Sequence, residues 1–222
     1  MAKKRGTTRR EFAKQVGLGA SLSLFGSSVS AKTLTPSQVE GPFHPIDEQA
    51  DLDADLTRVE GHPNAAIGDA VIVHGRVLDA DGAPIRDATL DIWQANYFGR
   101  YTHPGDKNDA PLDPDFQGWA VIQSRNSGDY RIKTIVPGPY PLKYIGFDGW
   151  RCRHIHFKLT HPDYRELTTQ MYFEGDPWIA QDEEIKKAPA AERDLLIAKR
   201  GRDESTGLTV YTFDIVLDKR DA

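Results

Sequence analysis

From Ala70 onward, apolar and polar residues come in short alternating runs broken by turn residues, the period-two rhythm of β-strands. Val71-Ile72-Val73-His74-Gly75-Arg76-Val77-Leu78 reads as one strand, ended by Asp79-Ala80-Asp81-Gly82, whose Asp-Gly pair is a hairpin signal. Thr89–Trp93, His154–Leu159, Leu167–Phe173 and Val210–Leu217 read as further strands. Asn126-Ser127-Gly128 turns the chain into another, Asp129–Ile135, which Val136-Pro137-Gly138-Pro139 stops. Ala190–Lys199 reads as a helix opened by Pro189. Lys32 to about Gly68 lacks periodicity and is punctuated by Pro36, Pro42, Pro45 and Pro63, so an extended arm is expected there. The pattern as a whole predicts a mainly-β chain: a β-sandwich core with long loops and one short helix.

Size and composition narrow the classes. The 222 residues suffice for one domain with a real core, and 39% apolar with 27% charged residues is ordinary for a soluble globular protein. A formal charge of −5 lacks the basic footprint of a nucleic-acid binder. That charge is uneven: residues 1–31 carry six Lys or Arg and one acid, so without them the chain stands at −10. Thr8-Arg9-Arg10-Glu11-Phe12-Ala13-Lys14 resembles a bacterial twin-arginine export motif. The uncharged stretch Val16–Val29 follows, too short and too weakly apolar to span a membrane, and Val29-Ser30-Ala31 offers small residues for cleavage. The expected organisation is an export signal over 1–31, an arm over 32–68 and a β domain over 69–222. The expected location is periplasmic or secreted, with no stable membrane anchor after signal removal. Export of already folded protein suits a cofactor acquired in the cytoplasm. A single cysteine, Cys152, excludes an intramolecular disulfide.

The candidate chemistry centres on Arg151-Cys152-Arg153-His154-Ile155-His156-Phe157. In a strand, His154 and His156 project from the same face about 7 Å apart, close enough for two imidazoles to share one ion. Ile155 and Phe157 would face the other way, into the core. Neutral imidazole suits zinc, copper, iron or nickel, so the pair leaves the metal open. Tyr101, just after the Trp93 strand, and Tyr140, in a rigid Pro-Gly-Pro-Tyr-Pro bend before the histidine strand, could add anionic phenolate oxygens. Either tyrosine alone reads equally as a half-buried aromatic at a strand end.

Together these stretches resemble a known family. Glu40-Gly41-Pro42-Phe43, Gly75–Ile85, Asp91-Ile92-Trp93-Gln94-Ala95-Asn96, Gly99-Arg100-Tyr101-Thr102-His103 and Asp115-Phe116-Gln117-Gly118 match, in order, motifs of the intradiol ring-cleavage dioxygenases, the protocatechuate-cleaving branch above all. Thr134–Pro141, Arg151–Phe157 and Thr169–Pro177 continue the series. The resemblance implies a prealbumin-like β-sandwich and a non-haem Fe(III) held by Tyr101, Tyr140, His154 and His156. It further implies Arg151 and Gln170 beside the substrate, a pocket lined in part by Gly41 and Pro42, and Tyr140 as a base that leaves the iron. The implied partners are a small aromatic diol and O2, the implied product a cis,cis-muconate, and the implied assembly a homo-oligomer or a pair with a second related subunit. Two features depart from the family: Arg151-Cys152-Arg153 stands where relatives carry Arg-Pro-Ala, and Leu142–Trp150 is unlike the best-known members. Two rival readings remain at this stage. Gly75–Leu90 also resembles prealbumin-like modules that only bind, and the histidine pair could serve a zinc hydrolase, although no third His or carboxylate ligand stands out.

Overall fold

A computed structural model describes residues 31–47, 49 and 51–221; the export motif expected at 8–14 lies outside them. The strands are β1 (Ala70–Asp79), β2 (Thr89–Trp93), β3 (Trp119–Gln123), β4 (Asp129–Ile135), β5 (Tyr140–Pro141), β6 (Trp150–Arg151), β7 (His154–His161), β8 (Tyr164–Phe173), β9 (Ile197–Arg202), β10 (Thr209–Thr212) and β11 (Ile215–Leu217). Nine of them hydrogen-bond along one path, β11-β1-β10-β9-β8-β7-β2-β3, with β4 joined to β1. The chain is therefore mainly β, as expected. Its two end regions pack on a common core: Val71, Val73 and Val77 of β1 and Ile132 of β4 lie with Ile155, Phe157 and Leu159 of β7. The Tyr130 ring of β4 meets Phe157 of β7 at 5.9 Å between centroids.

Alternation explains β7. Ile155, Phe157 and Leu159 enter this core, while His154 and His156 project to the opposite face. That face is covered too, by a smaller cluster of Phe43, Trp93, Ala95, Tyr101 and Tyr140. Among its described residues, the arm before β1 holds no regular element beyond a bridge from Asp55 to Lys133, and it is laced onto the sheet. Thr35 N–H donates to Val216 O, Gln38 N–H to Thr168 O, and Thr169 Oγ1 to Pro36 O.

Two expectations need correction. The helix is not Ala190–Lys199; α1 spans Glu183–Lys187, and residues 193–196 form a 3-10 turn leading into β9. Asp182 caps α1, accepting from the Glu184 and Ile185 N–H groups. Pro189 closes this helix rather than opening one, because the residue before a proline is forced out of helical geometry, and Ala188 is extended at ψ 145°. Antiparallel pairing of Lys199–Arg202 with β10 then overrides the helical propensity of the downstream stretch. Secondly, Val210–Leu217 is two strands, interrupted at Phe213 and Asp214, where Asp214 Oδ1 takes the Arg76 N–H. No described helix is long and apolar enough to cross a membrane.

Candidate active site

The two loops that carry the tyrosines are locked together by backbone. Asn96, after β2, receives the Gly99 and Gly138 N–H groups on its carbonyl and those of Phe98 and Arg100 on its side-chain Oδ1. Both glycines are required. A Cβ on Gly138 would stand 2.4 Å from Tyr97 O, and one on Gly99, at φ +79°, 2.5 Å from Pro139 O. Asp106 then fixes Tyr101 by accepting its backbone N–H at 2.8 Å. On the other side, β5 and β6 form a two-residue ladder that sets Tyr140 opposite Arg151.

The four side chains expected to ligate a metal meet. Tyr101 Oη lies 3.1 Å from His156 Nε2 and 3.3 Å from His154 Nε2, and Tyr140 Oη lies 3.5 Å from His154 Nε2. All four are at least nine-tenths buried. Donors bonded at about 2.0–2.1 Å to a single first-row ion stand roughly 2.9–3.4 Å from one another, so the cage fits a metal with little adjustment. His154 is already set for ligation: its Nδ1 is 2.7 Å from Cys152 O, which holds the tautomer that leaves Nε2 free. Burial, with Arg151 nearby, holds both histidines well below the ordinary imidazole value, and at His156 the neighbouring His154 adds to this, so both are neutral at pH 7. Burial also pushes both phenols up, Tyr101 well above its ordinary value and Tyr140 less, since Arg151 opposes burial there. Among the described residues, no group of three or more His, Cys, Asp or Glu gathers to hold an ion. The two phenols lie beside the two imidazoles and are the residues that could complete a donor set.

Arg151 and Gln170 also meet. Arg151 Nη2 donates to Gln170 Oε1 at 2.5 Å, and Gln170 Nε2 donates to Val39 O of the arm at 2.7 Å. Gly41, at φ +75°, turns the arm so that its Cα faces the His156 ring, where a Cβ would lie 3.5 Å from Cε1. Pro42 is exposed on the same turn. Sequence reasoning missed Asp182, which is fully buried and takes Arg151 Nε at 2.9 Å and Cys152 N–H at 2.8 Å on one oxygen. Its position before Glu183-Glu184 is a legible cap signal, but nothing local ties it to Arg151. Arg153, the unusual second arginine, points away from the donors and pairs with Asp176 at 3.0 Å.

A family model described as Dioxygenase matches residues 39–219. The beta chain of protocatechuate 3,4-dioxygenase from Burkholderia cepacia is 43% identical over 185 residues, which cover 82% of this chain and 78% of that one. The chain belongs to the intradiol ring-cleavage dioxygenases. A chlorocatechol 1,2-dioxygenase from Cupriavidus pinatubonensis is 31% identical over 173 residues, 71% of this chain and 64% of the relative. Among solved structures, 3-chlorocatechol 1,2-dioxygenase from Rhodococcus opacus superposes with a TM-score of 0.64 at 26% identity, covering 84% of this chain and 73% of that one. This intradiol dioxygenase is thus an enzyme acting on catechol-type rings, and the family motifs from Glu40 to Pro177 fall within the matched span.

Proposed function

We propose that the protein is an Fe(III)-dependent dioxygenase that opens a protocatechuate-like catechol between its hydroxyl-bearing carbons, giving a cis,cis-muconate. The observation that carries this reading is the convergence of Tyr101 Oη, Tyr140 Oη, His154 Nε2 and His156 Nε2 within 3.1–3.5 Å. Two phenolates and two neutral imidazoles suit a hard trivalent ion, and Tyr101, Tyr140, His154 and His156 would hold it. When bound, ferric iron supplies Lewis acidity that favours the deprotonated diol and readies its ring for O2.

The chain's own groups do the rest. Tyr140 Oη, a phenolate once a bound ion has displaced its proton, would take a proton from the incoming diol, while Tyr101 and the histidines keep their places. Arg151 is a fixed cation beside Tyr140, opposite it on the β5–β6 ladder, and guanidinium stays charged at any working pH. Gln170 orients the substrate side of the site, which Gly41 and Pro42 of the arm line in part. The two end regions of the strand path make the facing layers of a prealbumin-like sandwich, residues 69–222, behind the 32–68 arm. The 1–31 leader directs twin-arginine export to the periplasm or beyond. A second copy, or a second related subunit as the beta-chain designation of the Burkholderia relative suggests, completes the assembly.

The test is oxygen uptake with protocatechuate, which should proceed one O2 per ring with muconate formation. Tyr140→Phe should lower turnover about 100-fold or more, the usual contribution of a positioned acid–base group. Unchanged turnover in that variant would remove Tyr140 from the chemistry.

A further inference from the structure

The two histidines are held in place in different ways. His154 Nδ1 is engaged by Cys152 O, whereas His156 Nδ1 is buried with no hydrogen-bond partner among the described residues. A metal-binding imidazole ordinarily has its second nitrogen tied down, since this fixes ring rotation and tautomer. At His156 a ring replaces that bond. Trp93 lies directly across the β2–β7 ladder from His156, so both side chains share one face. The indole stacks on the imidazole at 4.7 Å between centroids with only 6° between planes. Against the indole also lies His44 of the arm, edge-on at 4.7 Å and 78°. His44 is anchored through Nε2 to Asp91 Oδ2 at 2.9 Å, and Trp119 Nε1–H donates to Asp91 Oδ1 at 2.6 Å. Trp93 itself is fully buried, so it has no freedom to swing aside.

We propose that Trp93 is a positioning residue for the metal ligand His156, its indole clamped by His44 and holding the imidazole plane in place of the missing Nδ1 hydrogen bond. Rotation of the His156 ring would carry Nε2 away from Tyr101 Oη, now 3.1 Å distant, and open the donor cage. The arm thereby acts on the site without touching the four donor atoms: residue 44 on the arm sets the indole, and the indole sets the ligand. This inference rests on the metal reading above.

The experiment titrates ferric iron against citrate with wild type, Trp93→Leu, Trp93→Phe and His44→Leu, reading affinity, the visible phenolate-to-iron band and the thermal midpoint. Trp93→Leu should weaken iron about tenfold, the usual loss when a ligand's support is removed, and shift the band. Trp93→Phe, which keeps a stacking ring, should recover most of both, and His44→Leu should fall between. A Trp93→Leu protein that loses thermal stability yet keeps wild-type affinity and spectrum would show a packing role alone and overturn the proposal. Should Trp93→Leu fail to fold, the half-buried His44 site decides: weakened iron supports the clamp, and unchanged iron overturns it. Wild type that binds no iron would overturn the metal reading itself, an outcome distinct from a metal site indifferent to residue 93.

Discussion

Burial governs the titration of the groups around the donor cage. Cys152 is an example: its thiol is pushed far up by burial and then by the Asp182 charge, so no thiolate forms at neutral pH. The folded protein should therefore resist a thiol reagent at pH 8, with one equivalent reacting only after unfolding; rapid native labelling would contradict the burial. Asp182 shows the opposite balance. Burial alone would raise its carboxyl, but the Arg151 charge and the Cys152 N–H outweigh burial and hold it below its ordinary value. A depressed carboxyl stabilises the fold above its unfolded value of about 3.9, and that stabilisation is lost as pH falls through the folded value, so this support disappears below about pH 4. Asp182→Ala leaves Arg151 buried and unpaired and should cost about 3–5 kcal/mol in denaturant melts at pH 7. At pH 3 the gap between wild type and variant should narrow. The residues of the donor cage were legible because strand alternation put His154 and His156 on one face and the tyrosine motifs were long. Asp182 was not, because its partner Arg151 lies 31 residues away in sequence.

At the scale of elements, the two tyrosine loops depend on close backbone approach. Gly138→Ala would press a Cβ to 2.4 Å from Tyr97 O, and overpacking of this kind costs about 1–3 kcal/mol. Because the strain falls between the loops that carry Tyr101 and Tyr140, iron affinity should drop with stability, measured by the same citrate competition. Gly201→Ala, at a strand position with nothing within 4 Å of the added Cβ, should leave iron affinity unaltered. The strands Thr89–Trp93 and Asp129–Ile135 were readable to the residue, the second because Asn126-Ser127-Gly128 and Pro137-Gly138-Pro139 bound it. The helix was misplaced because Ala190–Lys199 has good helical propensity, whereas the deciding contacts are distant. Arg193 donates to Ala188 O and Lys186 O, closing the end of α1, and Lys199–Arg202 pairs with β10. Strand β3 was missed because Trp119-Ala120-Val121-Ile122 lacks clean alternation; it is recognisable from its register with β2.

For the whole molecule, the arm is what sequence pattern described least. Proline and lost periodicity indicated an extended segment, but not its use as a strap that crosses β8 and brings Gly41 and His44 to the site. Its hold depends on specific bonds: Glu40 pairs with Lys158 at 3.0 Å, and Gln170 Nε2 is tied to Val39 O. The ion pair is part-buried at the surface and adds little, about 0–1 kcal/mol, so Lys158→Ala should leave the thermal midpoint nearly unchanged. Fold, strap and donor cage together present two phenols and two imidazoles to one point. The most direct measurement is metal analysis of the purified protein with its visible spectrum, before and after protocatechuate is added without oxygen. Near-stoichiometric iron with a phenolate-to-iron band that shifts on adding the diol is the expected result. Colourless protein that lacks iron and stays inert after ferric reconstitution would contradict it.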